Sequence, residues 1–351
     1  MFANTPYISP SAFKRPHNLK KMSRLARCCR WAVHFQKLHH SHVQTPSFLS
    51  SFSTSASAST PTLHSPPPVR VELTEYAGRG VFASRRIGAG ELIHTAKPIV
   101  SHPSLFSIHG ICYLCLRKLP NRDSSSGASQ TVSFCSKQCE EQSKKFYDVE
   151  KKADWSRLNE YCRLQGLKYP LLVKRLACQV ISRFVPSDVL DILQPEIPTS
   201  DRINQMKKEV ALLRSTIEDS DIEKERMAFL TEEWYTGVLS RIRINAFRIE
   251  LTVGSYEDLL SSAAASVIAE AAVGNAVYVL PSLYNHYCDP NVNIWWTESV
   301  DAKIKALRDI EEGEELRICY IDASMEYEAR QKILYEGFGF RCNCLRCVSK
   351  D

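Results

Sequence analysis

The chain has 351 residues, with 45 Lys and Arg against 39 Asp and Glu, which gives a formal net charge of +6. Its hydrophobic content of 44% and charged content of 24% are those of a soluble globular protein, and they exclude collagen-like, coiled-coil and wholly disordered chains. The best candidate for a membrane helix, residues 263–280, is interrupted by Glu270 and Asn275, so we expect no membrane span.

The excess positive charge lies in the first fifth of the chain. Residues 1–69 contain eight Lys and Arg and no acid, because the first acidic residue is Glu72. Since eight of the 45 basic residues are upstream, residues 70–351 carry 37 basic and 39 acidic side chains, a net charge of −2. Residues 70–351 therefore have no excess positive charge for binding a polyanion, and we expect no direct nucleic-acid binding by the mature domain.

Residues 1–69 have the composition of a presequence. Residues 22–38 alternate basic and apolar side chains as in an amphipathic helix, and 13 of the 25 residues from 41 to 65 are Ser or Thr. An Arg-rich, Ser-rich and acid-free segment is typical of an organelle transit peptide, and the arginine spacing favours the mitochondrion over the plastid. The alternative is a disordered basic tail or a nuclear localisation patch at Lys14-Arg15 and Lys20-Lys21, which would place the protein in the nucleus.

The next segment, up to residue 111, predicts short strands with turns. Residues 70–73 alternate polar and apolar side chains, and a turn at 78–80 separates them from a second strand. The pattern Ile87-x2-Gly90 recurs later as Ile310-x2-Gly313. Both copies indicate a loop that turns sharply into a strand.

Two pairs of cysteines follow. A loop separates Cys112 and Cys115 from Cys135 and Cys139. Each pair places two thiols on a tight turn, which suits half of a tetrahedral zinc site. We therefore predict a zinc knuckle, against the alternatives of buried free thiols or disulfide partners. A secretory disulfide framework conflicts with the lack of a secretory signal pattern.

Beyond the knuckle the apolar spacing becomes helical. One helix is predicted to begin at Pro170 and to end before Pro186, a second spans residues 203–217, and a third spans residues 222–234. Strand-like segments then return at 276–280, 292–296 and 316–320. A single β-rich domain that is split by a helical insertion accounts for this order.

A second cysteine cluster lies near the end of the sequence. Cys342, Cys344 and Cys347 supply three ligands, whereas a closed structural zinc site has four, so the fourth must come from elsewhere. The other five cysteines lack ligand-like spacing and are predicted to be structural or incidental: Cys28, Cys29, Cys162, Cys178 and Cys319.

Four segments occur together in an order that resembles a known family. They are Gly78-Arg79-Gly80-Val81-Phe82, Asn285-His286-Tyr287-Cys288-Asp289-Pro290-Asn291, Gly313-Glu314-Glu315-Leu316 leading to Tyr320, and Phe338-Gly339-Phe340. This set resembles the SET-domain protein-lysine methyltransferases over roughly residues 69–349. The knuckle and the helices after it resemble the split-SET branch with a MYND-type zinc module, and within that branch the plant trithorax-related SET proteins.

The resemblance implies an α+β protein: a β-rich SET fold with a pseudoknot, interrupted by a zinc knuckle and a helical insert, and closed by a C-terminal post-SET zinc cluster. The organisation expected in chain order is a presequence at 1–69, the N-terminal SET part at 70–111, a MYND-like zinc module at 112–140, a helical insert at 141–240, the C-terminal SET part at 241–324 and a post-SET segment at 325–351.

The resemblance also implies a chemistry. S-adenosylmethionine would be the methyl donor, and a lysine of a histone tail or an organellar protein the acceptor, in a monomeric enzyme. Cys288 would complete the second zinc site with Cys342, Cys344 and Cys347, and Tyr320 would be the catalytic tyrosine that orients the amine and the donor methyl. The residues implied in cofactor binding are Arg79, Gly80, Asn245, Asn285 and His286. Tyr278 and Phe338 are implied in a substrate channel, with a core role left open for Tyr278.

The chain departs from the family pattern at three places. Tyr287 stands where the family usually has a small serine, so its ring must point away from the cofactor or reshape the pocket. Phe338 stands where tyrosine is common, and the missing hydroxyl predicts di- or trimethylation. The knuckle has four cysteines, whereas the full family module has ligands for two zinc ions. This difference favours a module that stabilises the fold.

The alternative function is a catalytically inactive SET/MYND-like zinc protein that acts as a protein or chromatin interaction module.

Overall fold

A computed structural model describes residues 66–120, 132–251 and 272–351. Nearly all of the predicted presequence, including residues 22–38 and Cys28 and Cys29, lies outside the described residues. In the described ranges, no helix combines the length and the apolar character that crossing a bilayer requires.

Strands from both ends of the chain build three sheets. The strands described are β1 (Val69–Leu73), β2 (Arg79–Ala83), β3 (Leu92–Ala96), β4 (Val100–Pro103), β5 (Ala246–Ile249), β6 (Gly274–Val277), β7 (Asn285–His286), β8 (Val292–Trp295), β9 (Ala302–Ala306) and β10 (Glu315–Ile318). The four-stranded sheet has the order β1-β2-β10-β7, and the two three-stranded sheets have the orders β3-β9-β8 and β4-β6-β5.

The recurring Ile-x2-Gly pattern forms one matched pair of turns. Gly90 has φ +80° and Gly313 has φ +83°, a left-handed conformation that glycine adopts without a Cβ penalty. Ile87 and Ile310 exchange two backbone hydrogen bonds of 2.9 Å. Both turns lead into strands, as the sequence predicted, and the two copies face each other across an antiparallel bridge.

Helices fill the middle of the chain and close its end. The α-helices of the described residues are α1 (Lys137–Glu150), α2 (Ser156–Leu164), α3 (Tyr169–Ile181), α4 (Ser200–Glu218), α5 (Glu232–Asn245), α6 (Tyr327–Phe338) and α7 (Leu345–Val348), with 3-10 turns at Lys224–Met227 and Pro281–Leu283. This mixture of sheets and helices confirms the α+β prediction.

Two of the predicted helices have other boundaries in the structure. Helix α3 ends at Ile181, short of Pro186, because Arg183 adopts a left-handed φ of 60°. The single helix predicted over 222–234 is wrong, because the chain forms a short 3-10 turn there and then a new helix. Thr231 caps that new helix by accepting the backbone N–H of Trp234, which satisfies one of the unpaired donors of a helix start.

A buried charged cluster joins the helical insert to the first cysteine segment. The Glu150 carboxylate accepts the Tyr113 hydroxyl at 2.8 Å and lies 3.4 Å from Nε of Arg175. Arg175 also donates to the carbonyls of Ser101 and Tyr113, at 2.6 and 3.0 Å. Lys174 is 3.9 Å from the same carboxylate. Three buried charges therefore connect α1, α3 and β4 to the loop that carries Cys112.

Glu150→Gln is expected to destabilise the protein by about 3–5 kcal/mol, because it leaves two buried cations without a counter-charge. Thermal unfolding monitored by circular dichroism measures the effect. The matched control is Glu141→Gln on the same helix, where the Lys144 ion pair is exposed and a change within about 0.5 kcal/mol is expected. Equal melting temperatures for the two variants would contradict the role of the buried cluster.

Candidate active site

A cleft of about 1170 Å³ lies where segments from distant parts of the sequence meet. Its walls come from the β1–β2 turn, the junction of α5 with β5, residues 281–287, β10 and the residues after it, and the C-terminal segment 338–344. The parallel pairing of β7 with β10 sets Asn285 beside Arg317 and His286 beside Ile318. This pairing brings the two central motifs of the sequence into one site.

The cleft holds six of the eight residues predicted for cofactor, substrate or catalysis. The other two, Gly80 and Tyr278, are not among the lining residues. The six lining residues are Arg79, Asn245, Asn285, His286, Tyr320 and Phe338.

Asn285 is fixed by its amide nitrogen. The Nδ2 group donates to the Arg79 carbonyl at 3.1 Å and to the Glu315 carboxylate at 2.7 Å. Both hydrogens of the amide are thereby used, so the carbonyl oxygen is left to act as an acceptor toward the cleft. A Cβ at Gly80 would lie 2.6 Å from Oε1 of Glu315, so a larger residue there would displace the carboxylate that holds Asn285.

Asn245 ends helix α5. Its Nδ2 group donates to the carbonyls of Gln194 and Arg241 at 2.9 and 2.8 Å. The side chain thus satisfies a terminal helix carbonyl and ties α5 to the loop before α4. The Arg79 guanidinium donates to the Ile192 carbonyl in the same loop, so this loop anchors two of the predicted cofactor residues.

Tyr320 lies two residues beyond β10, with its hydroxyl inside the cleft. The hydroxyl donates to the Tyr284 carbonyl at 2.6 Å. Burial, with the charge of Glu315 as the smaller cause, raises the pKa of Tyr320 well above its usual value of 10.0. The phenol therefore stays protonated at physiological pH and acts as a hydrogen-bond donor.

Aromatic rings surround the Tyr320 side chain. The Phe338 ring centroid is 5.0 Å from that of Tyr320, and those of His286 and Phe340 are 5.3 and 6.3 Å away. Gly339, in a left-handed conformation with φ +78°, ends α6 and lets Phe338 and Phe340 both reach the cleft. The result is an apolar enclosure around one hydroxyl.

Tyr278 takes the core role that the sequence left open for it and does not line the cleft as a channel residue would. The side chain is fully buried in the main hydrophobic core. Its hydroxyl donates to the Val300 carbonyl and accepts the indole N–H of Trp296 at 2.8 Å. Phe247, whose ring centroid is 5.6 Å from that of Tyr278, lines the cleft in its place.

The C-terminal cysteines converge with Cys288. The four sulfurs of Cys288, Cys342, Cys344 and Cys347 lie within 4.8 Å of one another, and Cys288 is 3.6 Å from Cys347 and 3.9 Å from Cys342. A tetrahedron with Zn–S bonds of about 2.3 Å has sulfurs roughly 3.8 Å apart, whereas a disulfide would bring two sulfurs to about 2.05 Å. The donor set therefore fits a four-coordinate metal, with Cys288 as the fourth of the converging sulfurs.

The first cysteine set fits a metal in the same way. The sulfurs of Cys112, Cys115, Cys135 and Cys139 lie within 4.8 Å of one another, with separations of 3.5 and 3.4 Å along the series Cys115–Cys135–Cys139. Ser136 caps α1 by accepting the backbone N–H of Cys139, which holds that cysteine in the first helical turn. Three of the five cysteines predicted to be incidental, Cys162, Cys178 and Cys319, are free thiols outside both clusters.

Comparison with known proteins now decides the family. The family model described as the SET domain matches residues 78–321, more than half of the chain. The chain belongs to the SET-domain family. The α+β SET fold predicted from the motifs is thereby confirmed.

Two relatives of this SET-domain chain cover most of it. The Arabidopsis thaliana protein named histone-lysine N-methyltransferase ATXR4 is 58% identical over 287 residues, which are 82% of this chain and 88% of that one. A SET and MYND domain-containing protein of Dictyostelium discoideum is 24% identical over 277 residues, 74% of this chain and 77% of that one. The predicted similarity to plant SET proteins is confirmed.

A solved structure is also similar to part of this chain. It is titled as the SET domain of LSMT bound to lysine and AdoHcy, and it matches 79% of this chain and 53% of that chain at 14% identity. The TM-score of 0.36 is too low for this match to support a structural argument.

Within this SET domain the unusual Tyr287 packs against the second cysteine cluster. Its ring belongs to the same packed group as Cys288, Cys344 and Cys347. The Arg317 guanidinium lies 5.1 Å from the ring centroid, and the hydroxyl is 3.5 Å from the backbone nitrogen of Leu345. The bulky side chain thus supports the C-terminal segment at the edge of the cleft.

Several residues of the SET site carry no individual signal in the sequence. Glu315 belongs to the Gly-Glu-Glu-Leu motif, yet the motif does not predict its contacts with Asn285 and Gly80. Those contacts arise from the pairing of β2, β10 and β7. Tyr284 contributes a backbone carbonyl, which any residue could supply. Phe340 belongs to a quoted motif, but its approach to Tyr320 depends on the turn at Gly339.

Proposed function

We propose that this protein is an S-adenosylmethionine-dependent protein-lysine N-methyltransferase. Its family, its 58% identity to a plant protein named as a histone-lysine methyltransferase, and the cleft around Tyr320 support the proposal. The observation that carries it is a protonated tyrosine hydroxyl, held by a backbone carbonyl, in an enclosure of aromatic rings.

The enclosure suits an amine that must lose its charge before it reacts. An ordinary lysine has a pKa near 10.4, and removal from water favours the neutral form. Phe338, Phe340 and Phe247 provide apolar surface, while Tyr320 and the Tyr284 carbonyl provide the polar contacts that orient the amine. Alignment and exclusion of water are the contributions that a transfer of this kind needs from the protein.

The proposed cofactor site is the part of the cleft that Arg79, Asn245 and Asn285 line. When bound, S-adenosylmethionine supplies the methyl group. Asn285 offers a carbonyl oxygen there, because its amide nitrogen is used by the Arg79 carbonyl and the Glu315 carboxylate. Asn245 lies at the end of α5, and Gly80 leaves room for the Glu315 carboxylate that holds Asn285. Arg79 is held on the same side by the Ile192 carbonyl.

We infer that zinc occupies both cysteine clusters, because four convergent thiols are the donor set that structural zinc sites use. Zinc bound by Cys288, Cys342, Cys344 and Cys347 would hold the C-terminal segment against the cleft, since Cys342 and Cys344 line it. Zinc at the first cluster would brace the loop that contains Tyr113, which takes part in the buried charged cluster.

A methyl-transfer assay with purified protein tests the proposed function. Labelled S-adenosylmethionine is incubated with histones and with a soluble organellar protein extract, and labelled proteins are digested to locate modified lysines. Methyl-lysine formation is expected. A zinc-replete protein with no affinity for S-adenosylmethionine in a calorimetric titration would contradict the proposal and favour the inactive interaction module.

Phe338→Tyr is expected to shift the product toward monomethyl-lysine. Phe338 packs 5.0 Å from Tyr320, and an added hydroxyl would occupy space and hold a water beside the amine. Mass spectrometry of the product peptide measures the proportions of mono-, di- and trimethyl-lysine. The control is Phe184→Tyr at an exposed ring of the helical insert, and formation of monomethyl-lysine alone by the parent protein would contradict the prediction.

The location of the substrate depends on residues 1–69. We propose that this segment directs the protein to the mitochondrion, with the plastid second, because it is basic, Ser-rich and acid-free. A full-length fluorescent fusion is expected to enter the organelle, whereas a fusion that begins at residue 70 is expected to stay outside it. Nuclear fluorescence of the full-length fusion would contradict the transit peptide and favour histone substrates.

A further inference from the structure

The His286 side chain contacts the second cysteine cluster and the catalytic strand at the same time. Its Nδ1 atom is 3.1 Å from the backbone nitrogen of Tyr320, and its Nε2 atom is 3.3 Å from Sγ of Cys288. The residue is 9% exposed, so most of its surface is shielded from water.

The hydrogen-bond roles of the two ring nitrogens follow from their partners. A backbone N–H can only donate, so Nδ1 of His286 accepts from Tyr320. A neutral imidazole then carries its hydrogen on Nε2, which donates to the sulfur of Cys288. A metal-bound thiolate has lone pairs and no hydrogen, so it is the matching acceptor.

A buried guanidinium also lies beside the cluster. Arg330 of α6 is buried, and its two terminal nitrogens donate to the carbonyls of Met325 and Asp351. Four thiolates around Zn²⁺ carry a net charge near −2, which a buried guanidinium and an imidazole N–H both stabilise. Of these two groups, only His286 also contacts the residue that carries the catalytic hydroxyl.

We propose that His286 is a positioning residue that couples the C-terminal zinc cluster to Tyr320. It fixes the backbone of Tyr320 from one ring nitrogen and a zinc thiolate from the other, so the two sites hold each other in place. The effect of this coupling on catalysis rests on the proposed methyltransferase function. It is distinct from the cofactor-binding role that the family resemblance implies for His286, because it acts through Tyr320 and Cys288.

Two substitutions separate the two hydrogen bonds. In His286→Asn the amide reaches about as far as Nδ1, so it can accept from Tyr320 but cannot reach Cys288. In His286→Gln the amide reaches about as far as Nε2, so it can donate to Cys288 but cannot accept from Tyr320. The matched control is His109→Gln at an exposed histidine.

Two measurements report on the two hydrogen bonds of His286 without relying on enzyme activity. Zinc release from the loaded protein to a colorimetric chelator is expected to be about 10- to 100-fold faster in the Asn variant and near the parent rate in the Gln variant. Hydrogen–deuterium exchange of the peptide that contains the Tyr320 amide is expected to be several-fold faster in the Gln variant alone. The zinc of Cys112, Cys115, Cys135 and Cys139 serves as the internal reference.

Kinetics supplies the catalytic part of the test. The Gln variant is expected to lose kcat while its KM for S-adenosylmethionine changes less, because the backbone of residue 286 is kept. If both variants released zinc faster and also exchanged the Tyr320 amide faster, the proposal would be overturned, because general structural damage would explain the result. If the parent protein shows no methyl transfer, the proposed function fails, and opposite responses of the two variants in zinc release and exchange still support the coupling.

Discussion

Replacing Tyr320 by phenylalanine is expected to lower kcat by roughly 100- to 1000-fold, the usual effect of removing one hydrogen-bond donor that acts at the reacting centre. The hydroxyl is held at 2.6 Å from the Tyr284 carbonyl, and the Tyr320 ring packs 5.0 Å from that of Phe338, so phenylalanine removes the donor and keeps the ring. Initial rates of methyl transfer at saturating cofactor and substrate measure the loss.

The control for this variant is Tyr335→Phe, at an exposed tyrosine on α6. The dependence of the residual rate on pH distinguishes two roles for Tyr320. Burial and the charge of Glu315 raise the pKa of its hydroxyl, so the group stays protonated through the working pH range. The parent and Tyr320→Phe should therefore show the same apparent pKa in their pH–rate profiles. Disappearance of a titrating limb in the variant would indicate that Tyr320 acts as a base, against the orienting role.

Cys344→Ser is expected to remove one of two zinc ions per chain and to weaken S-adenosylmethionine binding at least tenfold. Structural zinc contributes about 10–16 kcal/mol of binding free energy that is coupled to folding, and Cys344 also lines the cleft. Loss of this ligand should release the C-terminal segment, including Phe340, from its place beside Tyr320. Zinc analysis by mass spectrometry and calorimetric titration of the cofactor measure the two effects.

Two further serine variants complete the zinc experiment. Cys319→Ser replaces a free cysteine outside both clusters and should keep two zinc ions. Cys135→Ser should remove the other zinc and leave cofactor affinity close to that of the parent, because Cys135 lies in the first cluster and outside the cleft lining. Retention of full cofactor affinity by Cys344→Ser would contradict the proposed support of the cleft by the C-terminal cluster.

The two cysteine sets could be predicted from the sequence because metal chemistry restricts both residue type and spacing. The structure brings all eight cysteines together in the two expected groups of four. Cys288 illustrates the limit of spacing alone. Its separation from Cys342 in the sequence gives no local signal, and only the family resemblance identified it as the fourth donor.

Tyr278 shows why a motif neighbourhood does not fix the direction of a side chain. An aromatic residue at the end of a buried strand gives the same pattern whether it faces the cleft or the core. The outcome depends on hydrogen-bond partners from other segments, here the Val300 carbonyl and Trp296. Those partners cannot be identified until the sheet register is known.

The buried charges of the helical insert were also beyond the reach of sequence periodicity. Helical spacing predicts the apolar stripe of α3 but does not indicate that Lys174 and Arg175 are buried. The structure buries both, because Glu150 of α1 and two backbone carbonyls meet them there. Their burial depends on how α1 packs against α3, and the residue pattern of a single helix does not predict that packing.

The central four-stranded sheet has a consequence for how the chain folds during synthesis. Strand β2 pairs locally with β1, but its other neighbour, β10, follows the knuckle, the whole helical insert and the remaining strands. A nascent chain can thus form the β1–β2 hairpin early, while one hydrogen-bonding edge of β2 stays open until most of the protein has left the ribosome. Such non-local pairing slows folding and exposes an aggregation-prone edge. We therefore expect folding yield to depend on chaperones that protect the N-terminal hairpin until translation is nearly complete.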